Sequence, residues 1–289
     1  MTFSAELKES LSKTANLANK EIVKYELIGY LISNNTVYKN KKIYYTTVNE
    51  YNINRFNKLI SNLNILNYDI TIKGKNYTIT LPQIENIDDI AYTNNDIELK
   101  DITIENEELL KSIVRGAFLG SGSINNPENK YHMEMIFSTQ NNADYIYHIL
   151  KKNEIKVKRM QRKYGYSVYI KDGEGISRFL AFIGANTAVI KFEEIRVLRD
   201  MKNSINRQVN CETANLTRTI NAAVKQIEKI NKLKESGQFE KLPKDLKELA
   251  QTRLENPDAS LVELGQMLSN PLGKSGVNHR LKKIENWDN

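Results

Sequence analysis

Two glycines 87 residues apart, Gly29 and Gly116, constrain this chain more than any other feature. Each sits in an apolar, small-residue run with helical spacing, and the same succession of periodicities follows both. Around the first, helical patterns cover Ala5 to Leu17 and Lys20 to Ser33. Alternating segments at Ile43 to Val48, Tyr68 to Lys73 and Tyr77 to Leu81 read as strands, with a helical stretch from Ile53 to Leu63 among them. Around the second, a helix is expected from Glu107 to Leu119 and a strand face at Tyr131, Met133, Met135 and Phe137. A helix from Ala143 to Lys152, strands at Lys156 to Met160 and Ser167 to Ile170, and a closing helix from Glu174 to Ile183 complete that half. A pattern recurring at a fixed offset marks an internal duplication, here of order rather than identity. The predicted fold class is α+β: a pseudo-two-fold domain of αββαββα halves, then an all-α domain.

After Phe192 the strand signals stop. Glu193 to Leu233 is helical and polar, and Lys234 to Gln238 reads as a flexible joint. The expected domains are 1–104 and 105–192 for the two halves, a helical linker at 193–240, and a helical domain at 241–289.

Composition narrows the partners. The net charge is +7, which favours an anionic partner. From Lys151 to Lys171 there are eight Lys/Arg against the single acid Glu154, and from Lys274 to Lys283 four Lys/Arg and no acid. A solvated face is the plain alternative for any such run. No run of 18 apolar residues is present, so no membrane span is expected. The first 19 residues lack the apolar stretch of a signal peptide. One cysteine, Cys211, fits a reducing cytoplasm.

The C-terminal stretch from Leu242 to Trp287 reads as a helix-turn-helix. Leu242, Leu246, Leu249, Ala250 and Leu254 share one helical face, with Pro243 suited to a first helical position and Pro257 ending the helix. Ser260 and Glu263 form a capping box for a second helix carrying Leu261, Leu264 and Leu268. Asn270 to Gly273 is a turn, and Ser275 is the expected cap of a third helix. There Val277, Leu281 and Ile284 make the packing stripe. The opposite face would read DNA: Asn and Arg can bond base edges in pairs, and cations meet phosphates. The expected DNA-binding residues are Ser260, Lys274, Ser275, Asn278, His279, Arg280, Lys282 and Lys283. A second DNA surface is expected at Lys156, Lys158, Arg159, Arg162, Lys163 and Tyr164, where basic and aromatic residues interleave.

The segments Leu27-Ile-Gly-Tyr-Leu-Ile-Ser-Asn-Asn-Thr-Val37 and Arg115-Gly-Ala-Phe-Leu-Gly-Ser-Gly-Ser-Ile124 resemble the LAGLIDADG motif of homing endonucleases. The resemblance implies that the two motif helices pack at a pseudo-dyad, where glycine allows close approach. It also implies that the last residue of each motif sits where an acid would hold a catalytic metal. Here those places carry Asn34 and Ser121, both neutral and poor substitutes for metal-binding carboxylates. Glu26 lies two turns upstream of Asn34 and Glu134 on a separate strand.

Over most of its length the chain resembles the WhiA family of bacterial regulators. The resemblance is carried by Arg115 to Pro127, by Val209-Asn-Cys-Glu-Thr-Ala-Asn215, by Asn256-Pro-Asp-Ala-Ser-Leu261, and by Lys274-Ser-Gly-Val-Asn-His-Arg-Leu-Lys-Lys-Ile284. It implies a degenerate LAGLIDADG-like domain joined to a helix-turn-helix. It further implies a transcription regulator tied to sporulation in some bacteria, and to cell division and chromosome segregation in others. Ser121 departs from the small residue expected there.

The expected partners are double-stranded DNA and another regulatory protein, in a nucleoid-associated cytoplasmic setting. No enzyme activity, cofactor or metal is expected. His132, His148 and His279 make no metal set with one cysteine. Cys211 reads as a small buried side chain rather than a nucleophile. Gly173 and Gly175 lack the Lys of a phosphate loop. Two rivals are an active endonuclease using Glu26 or Glu134, and an interaction module whose N-terminal domain holds a protein or small ligand.

Overall fold

The structure, a computed structural model, describes residues 2–93, 95–101 and 103–287. The chain divides into two compact units that part between Asp200 and Met201. The first opens with α1 (Phe3–Ser12) and α2 (Lys20–Leu31), the latter started by Asn19, whose side chain accepts from the Glu21 and Ile22 N–H groups. There follow β1 (Thr36–Lys39), β2 (Lys42–Thr47), α3 (Glu50–Asn62), β3 (Asp69–Lys73) and β4 (Asn76–Pro82). A hairpin of β5 (Ile90–Tyr92) and β6 (Ile97–Leu99) ends this half. The second half contains α4 (Glu107–Ser121), β7 (Ser123–Ile124), β8 (Met133–Phe137), α5 (Gln140–Lys152), β9 (Lys158–Arg162), β10 (Gly165–Ile170) and α6 (Gly173–Phe182).

Both halves build a four-stranded antiparallel sheet of the same order, β1-β2-β4-β3 and β7-β8-β10-β9. The counterparts α2/α4, α3/α5, β3/β9 and β4/β10 begin 87 to 90 residues apart. The duplicated α+β order is therefore present. The halves differ at their ends: the second closes with α6, the first with the β5–β6 hairpin, which buries Ile90, Ile97 and Leu99.

Glycine makes the crossing of α2 and α4. A methyl on Gly29 would lie 2.2 Å from the Ile113 carbonyl oxygen, and one on Gly116 would lie 2.0 Å from that of Glu26. Only a residue without Cβ lets the backbones meet this closely. Leu27, Ile28, Leu31, Ile113, Val114, Phe118 and Leu119, all within 1% of full burial, form the centre of the core around this crossing.

α7 (Asn186–Glu235) covers most of the stretch expected as a helical linker, and the division between the units falls within it. Gly237, at φ 71°, ends it, and a short 3-10 turn at Gln238–Lys241 buries Phe239. The segment expected as a flexible joint is thus a packed helix stop. The second unit adds α8 (Lys244–Glu255), α9 (Leu261–Met267) and α10 (Lys274–Glu285). Its core joins Ile230 and Leu233 to Phe239, Leu246, Leu249, Leu264, Leu268, Val277, Leu281 and Ile284, with Trp287 packed against them. Each such Leu or Ile contributes about 1.5–3 kcal/mol on burial. Pro243 lies just before α8. Gly273 rather than Ser275 is the residue that precedes α10, and Ser275 falls in its first turn. The last two residues of the expected 241–289 domain lie outside the described residues. Among the described residues, no helix is long and apolar enough to cross a membrane.

Candidate nucleic-acid interface

Three contacts fix where α10 lies in the second unit. Ser260 accepts from the Glu263 N–H, and the Glu263 carboxylate accepts from the Ser260 N–H, so the capping box that begins α9 is complete. Gly265 then lies against the turn: the Leu272 N–H donates to its carbonyl at 3.0 Å, and a methyl on Gly265 would come within 2.0 Å of the Leu272 oxygen. Glu248 of α8 accepts from the Ser269 N–H at 2.6 Å and its hydroxyl at 3.0 Å, and these bonds hold the carboxyl below its ordinary value. Beneath them the buried Arg253 donates to the Ala259 carbonyl at 2.7 Å.

The α10 stripe of Val277, Leu281 and Ile284 is fully buried, as the spacing predicts. Its other side leaves Lys274, Ser275, Asn278, His279, Lys282 and Lys283 exposed. Two expected contact residues lie elsewhere. Arg280 is half-buried, and its Nε stands 3.4 Å from the Asp245 carboxylate of α8. The Ser260 hydroxyl is taken up by its cap.

The basic strand β9 divides between two faces. Met133, Met135 and Phe137 of β8 enter the core, so Glu134 and Ile136 face outward. Register puts Met160 and Ile136 opposite Ser167, Lys158 and Glu134 opposite Tyr169, and Arg162 opposite Gly165. Lys158, Met160 and Arg162 therefore share the outer face, and Arg159 turns to the α5 side. There it pairs with Asp144 and stacks 5.0 Å from the Tyr147 ring. Arg162 pairs with Glu134, which also accepts from the Ser167 hydroxyl. Lys163 and Tyr164 occupy the β9–β10 turn, and Lys156 is exposed before β9. Asn34, Ile136 and the stretch Met160 to Tyr164 line one open groove.

At the motif-helix ends, both residues bond to Ile136 of β8, Asn34 through its main chain and Ser121 through its hydroxyl. The Asn34 N–H donates to the Ile136 carbonyl at 3.2 Å, and the Ser121 hydroxyl accepts from the Ile136 N–H at 3.2 Å. Carbonyls near the end of α4 are also occupied: Asn52 and Lys8 donate to Leu119, and Asn35 to Gly120. Glu26, wholly buried, receives Arg55 at 2.7 and 2.9 Å, Arg115 at 3.0 Å and Asn16 at 3.0 Å. Burial alone would push its carboxyl up, but the Arg55 hydrogen bonds and the two guanidinium charges hold it below the ordinary value. Glu26 pairs with Arg55 and Arg115, and Glu134 with Arg162. Among the described residues, no three His, Cys, Asp or Glu side chains gather in a way that could hold a metal. Cys211, expected to be buried, is exposed on α7.

Sequence reasoning passed over Gly265, Glu248 and Arg253. Only Gly265 carried a signal, a glycine inside a helical pattern, which costs stability unless packing requires it.

These features define a class of protein: a duplicated LAGLIDADG-like domain followed by a helix-turn-helix. A family model described as the WhiA LAGLIDADG-like domain matches residues 110–202, and the WhiA C-terminal HTH domain model matches residues 205–287. The chain is 40% identical over 246 residues to "Probable cell division protein WhiA" of Clostridium tetani, covering 79% of this chain and 77% of that one. It is 48% identical over 190 residues to the protein of the same name from Clostridium perfringens, covering 66% of this chain and 60% of that relative's length. The crystal structure of full-length DUF199/WhiA from Thermotoga maritima matches 99% of this chain and 97% of that one, with a TM-score of 0.61 at 28% identity. The chain belongs to the WhiA family.

Proposed function

We propose that this chain is a sequence-specific DNA-binding regulator of transcription that acts in cell division and chromosome segregation. The observation that carries the reading is α10. Its apolar stripe is buried to the last residue, and its opposite side offers Asn278, His279, Lys282 and Lys283 to solvent, with the stripe packed into the core of the second unit. A helix so mounted fits a major groove, with polar side chains toward base edges and ammonium groups toward phosphates. The names of the clostridial relatives support the cell-division setting. The nucleoid of the cytoplasm is where such a protein works, with double-stranded DNA and a further regulatory protein as partners.

The same reading holds that the chain does not cut DNA. By the resemblance to the motif, Asn34 and Ser121 stand where catalytic acids would, and the Ser121 hydroxyl is used to accept from the Ile136 N–H. Glu26 and Glu134 are committed to arginines. The outer face of β9, with Lys158, and the following turn, with Lys163 and Tyr164, serve as a second DNA surface, while Arg162 and Arg159 are each paired with a carboxylate, Glu134 and Asp144.

Genome-wide DNA capture with the intact protein and with an Asn278→Ala, His279→Ala variant tests this. Loss of a common sequence among the captured sites is expected, and unchanged occupancy would sink the recognition helix. Incubation of the purified protein with plasmid and Mg²⁺ or Mn²⁺ is expected to leave the plasmid intact. Cleavage that disappears in Glu134→Gln would overturn the non-nuclease reading.

A further inference from the structure

Within the second unit, the C-terminal part of α7 and the three following helices line a half-open cavity of about 280 Å³. Arg218, Arg253 and Lys274 line it, with Asn278, Gln226 and Thr219, and no carboxylate is among its lining residues. One of these side chains is almost wholly buried and incompletely bonded: Arg253 is 2% exposed, and its Nε–H has no partner among the described residues. A buried guanidinium edge beside two further cations is costly unless an anion shares the space. Ala222, Ala223, Leu261 and Val262 supply an apolar wall.

We propose that this cavity seats a phosphate group, and that the phosphate belongs to the backbone of the DNA strand read by α10. Lys274 and Asn278 lie one turn apart on α10, so they border both the cavity and the exposed face. A guanidinium is the side chain best matched to phosphate oxygens, and three cations fit a strand backbone. The apolar wall suits a deoxyribose, which carries little that needs a hydrogen bond. On this assignment α7 is more than a tether: through Arg218 it forms part of the DNA clamp. The inference rests on the DNA-binding reading of α10.

The test is a salt titration by fluorescence anisotropy on the full-length protein, with a duplex from the captured sites and a scrambled duplex. The variants are Arg218→Gln, Lys274→Gln and Asn278→Ala, all at exposed positions. Each neutralised phosphate contact removes about 0.9 from the slope of log K against log salt. Arg218→Gln and Lys274→Gln are each expected to weaken both duplexes several-fold, to the same degree, and to flatten the slope by about that amount. Asn278→Ala is expected to lose discrimination between the duplexes instead. If Arg218→Gln and Lys274→Gln keep the wild-type slope while Asn278→Ala loses discrimination, the phosphate seat is wrong and the recognition helix stands. If the wild type shows neither discrimination nor a salt slope, the DNA reading itself fails and the seat with it. A further arm adds inorganic pyrophosphate without DNA and follows amide NMR signals of Thr219, Ala222 and Val262. Saturable shifts that Arg218→Gln abolishes, with an unchanged DNA slope, would assign the cavity to a free phosphate compound and overturn the DNA assignment.

Discussion

The centre of the first unit and the third helix of the second unit are both rich in charge, and they use it in opposite ways. At the α2–α4 crossing Glu26, Arg55 and Arg115 satisfy one another inside the core, and the neighbouring helix ends are closed by Lys8, Asn35 and Asn52. On α10 the ammonium groups of Lys282 and Lys283 face solvent. Charge consumed inside a fold specifies that fold, whereas charge left outside is available to a partner. In the first region the charge is built into the fold, and in the second it is left exposed.

The contrast breaks most easily at Glu26. Glu26→Ala leaves two buried guanidinium groups without their anion, and a loss of about 3–5 kcal/mol is expected. Calorimetry should show the loss on the first unit's transition and leave DNA affinity of the second unit intact. The pH dependence follows in sign. The folded carboxyl lies below its ordinary value of 4.5. Its stabilisation is therefore present above that value and is lost as pH falls through the folded one. Glu26→Gln should flatten that acid limb.

Gly116→Ala comes next. A methyl 2.0 Å from a carbonyl must push α2 and α4 apart, at about 1–3 kcal/mol or more. Gly265→Ala meets the same distance in the other unit, so a similar loss is expected there. That loss should come together with loss of DNA binding, because the displaced turn carries α10. If Gly265→Ala keeps DNA affinity, the turn does not set the interface.

A smaller effect tests how dry the first centre is. Burial pushes the Lys8 ammonium down to about 8. The unfolded chain then holds more protons than the folded one between that value and the ordinary 10.5, so stability rises across this window. Thermal unfolding at about pH 7.5 and about pH 9.5 should show the rise in the wild type and not in Lys8→Met. Smallest is Asp245→Asn, which frees Arg280 from a half-exposed pair and should change stability by no more than about 1 kcal/mol. Any gain in DNA affinity would show that Arg280 can turn to the interface.

Whatever was local in the chain was legible before the structure. The Val277, Leu281 and Ile284 stripe and the Ser260–Glu263 box follow from spacing within one element, and the pairing of the glycine helices from the resemblance of both to one motif. The hidden features depend on partners distant in sequence. Arg55 looks like a solvated residue of an amphipathic helix, and only the approach of Glu26 from another helix buries it. Arg159 and Arg162 look equivalent in a basic run, but a strand alternates, so one faces α5 and the other the outer groove. The Lys234 to Gln238 segment has the composition of a joint, and the burial of Phe239 against the second core makes it a stop.

Aromatic residues are distributed as unevenly as charge. All 15 tyrosines precede residue 170, and the single tryptophan, Trp287, packs against the core of the second unit. The two units therefore carry separate optical labels. Tyrosine absorbance reports on the duplicated domain alone, and tryptophan fluorescence on the helix-turn-helix alone. One melting curve of the unmodified chain, read in two channels, resolves which unit a substitution has loosened.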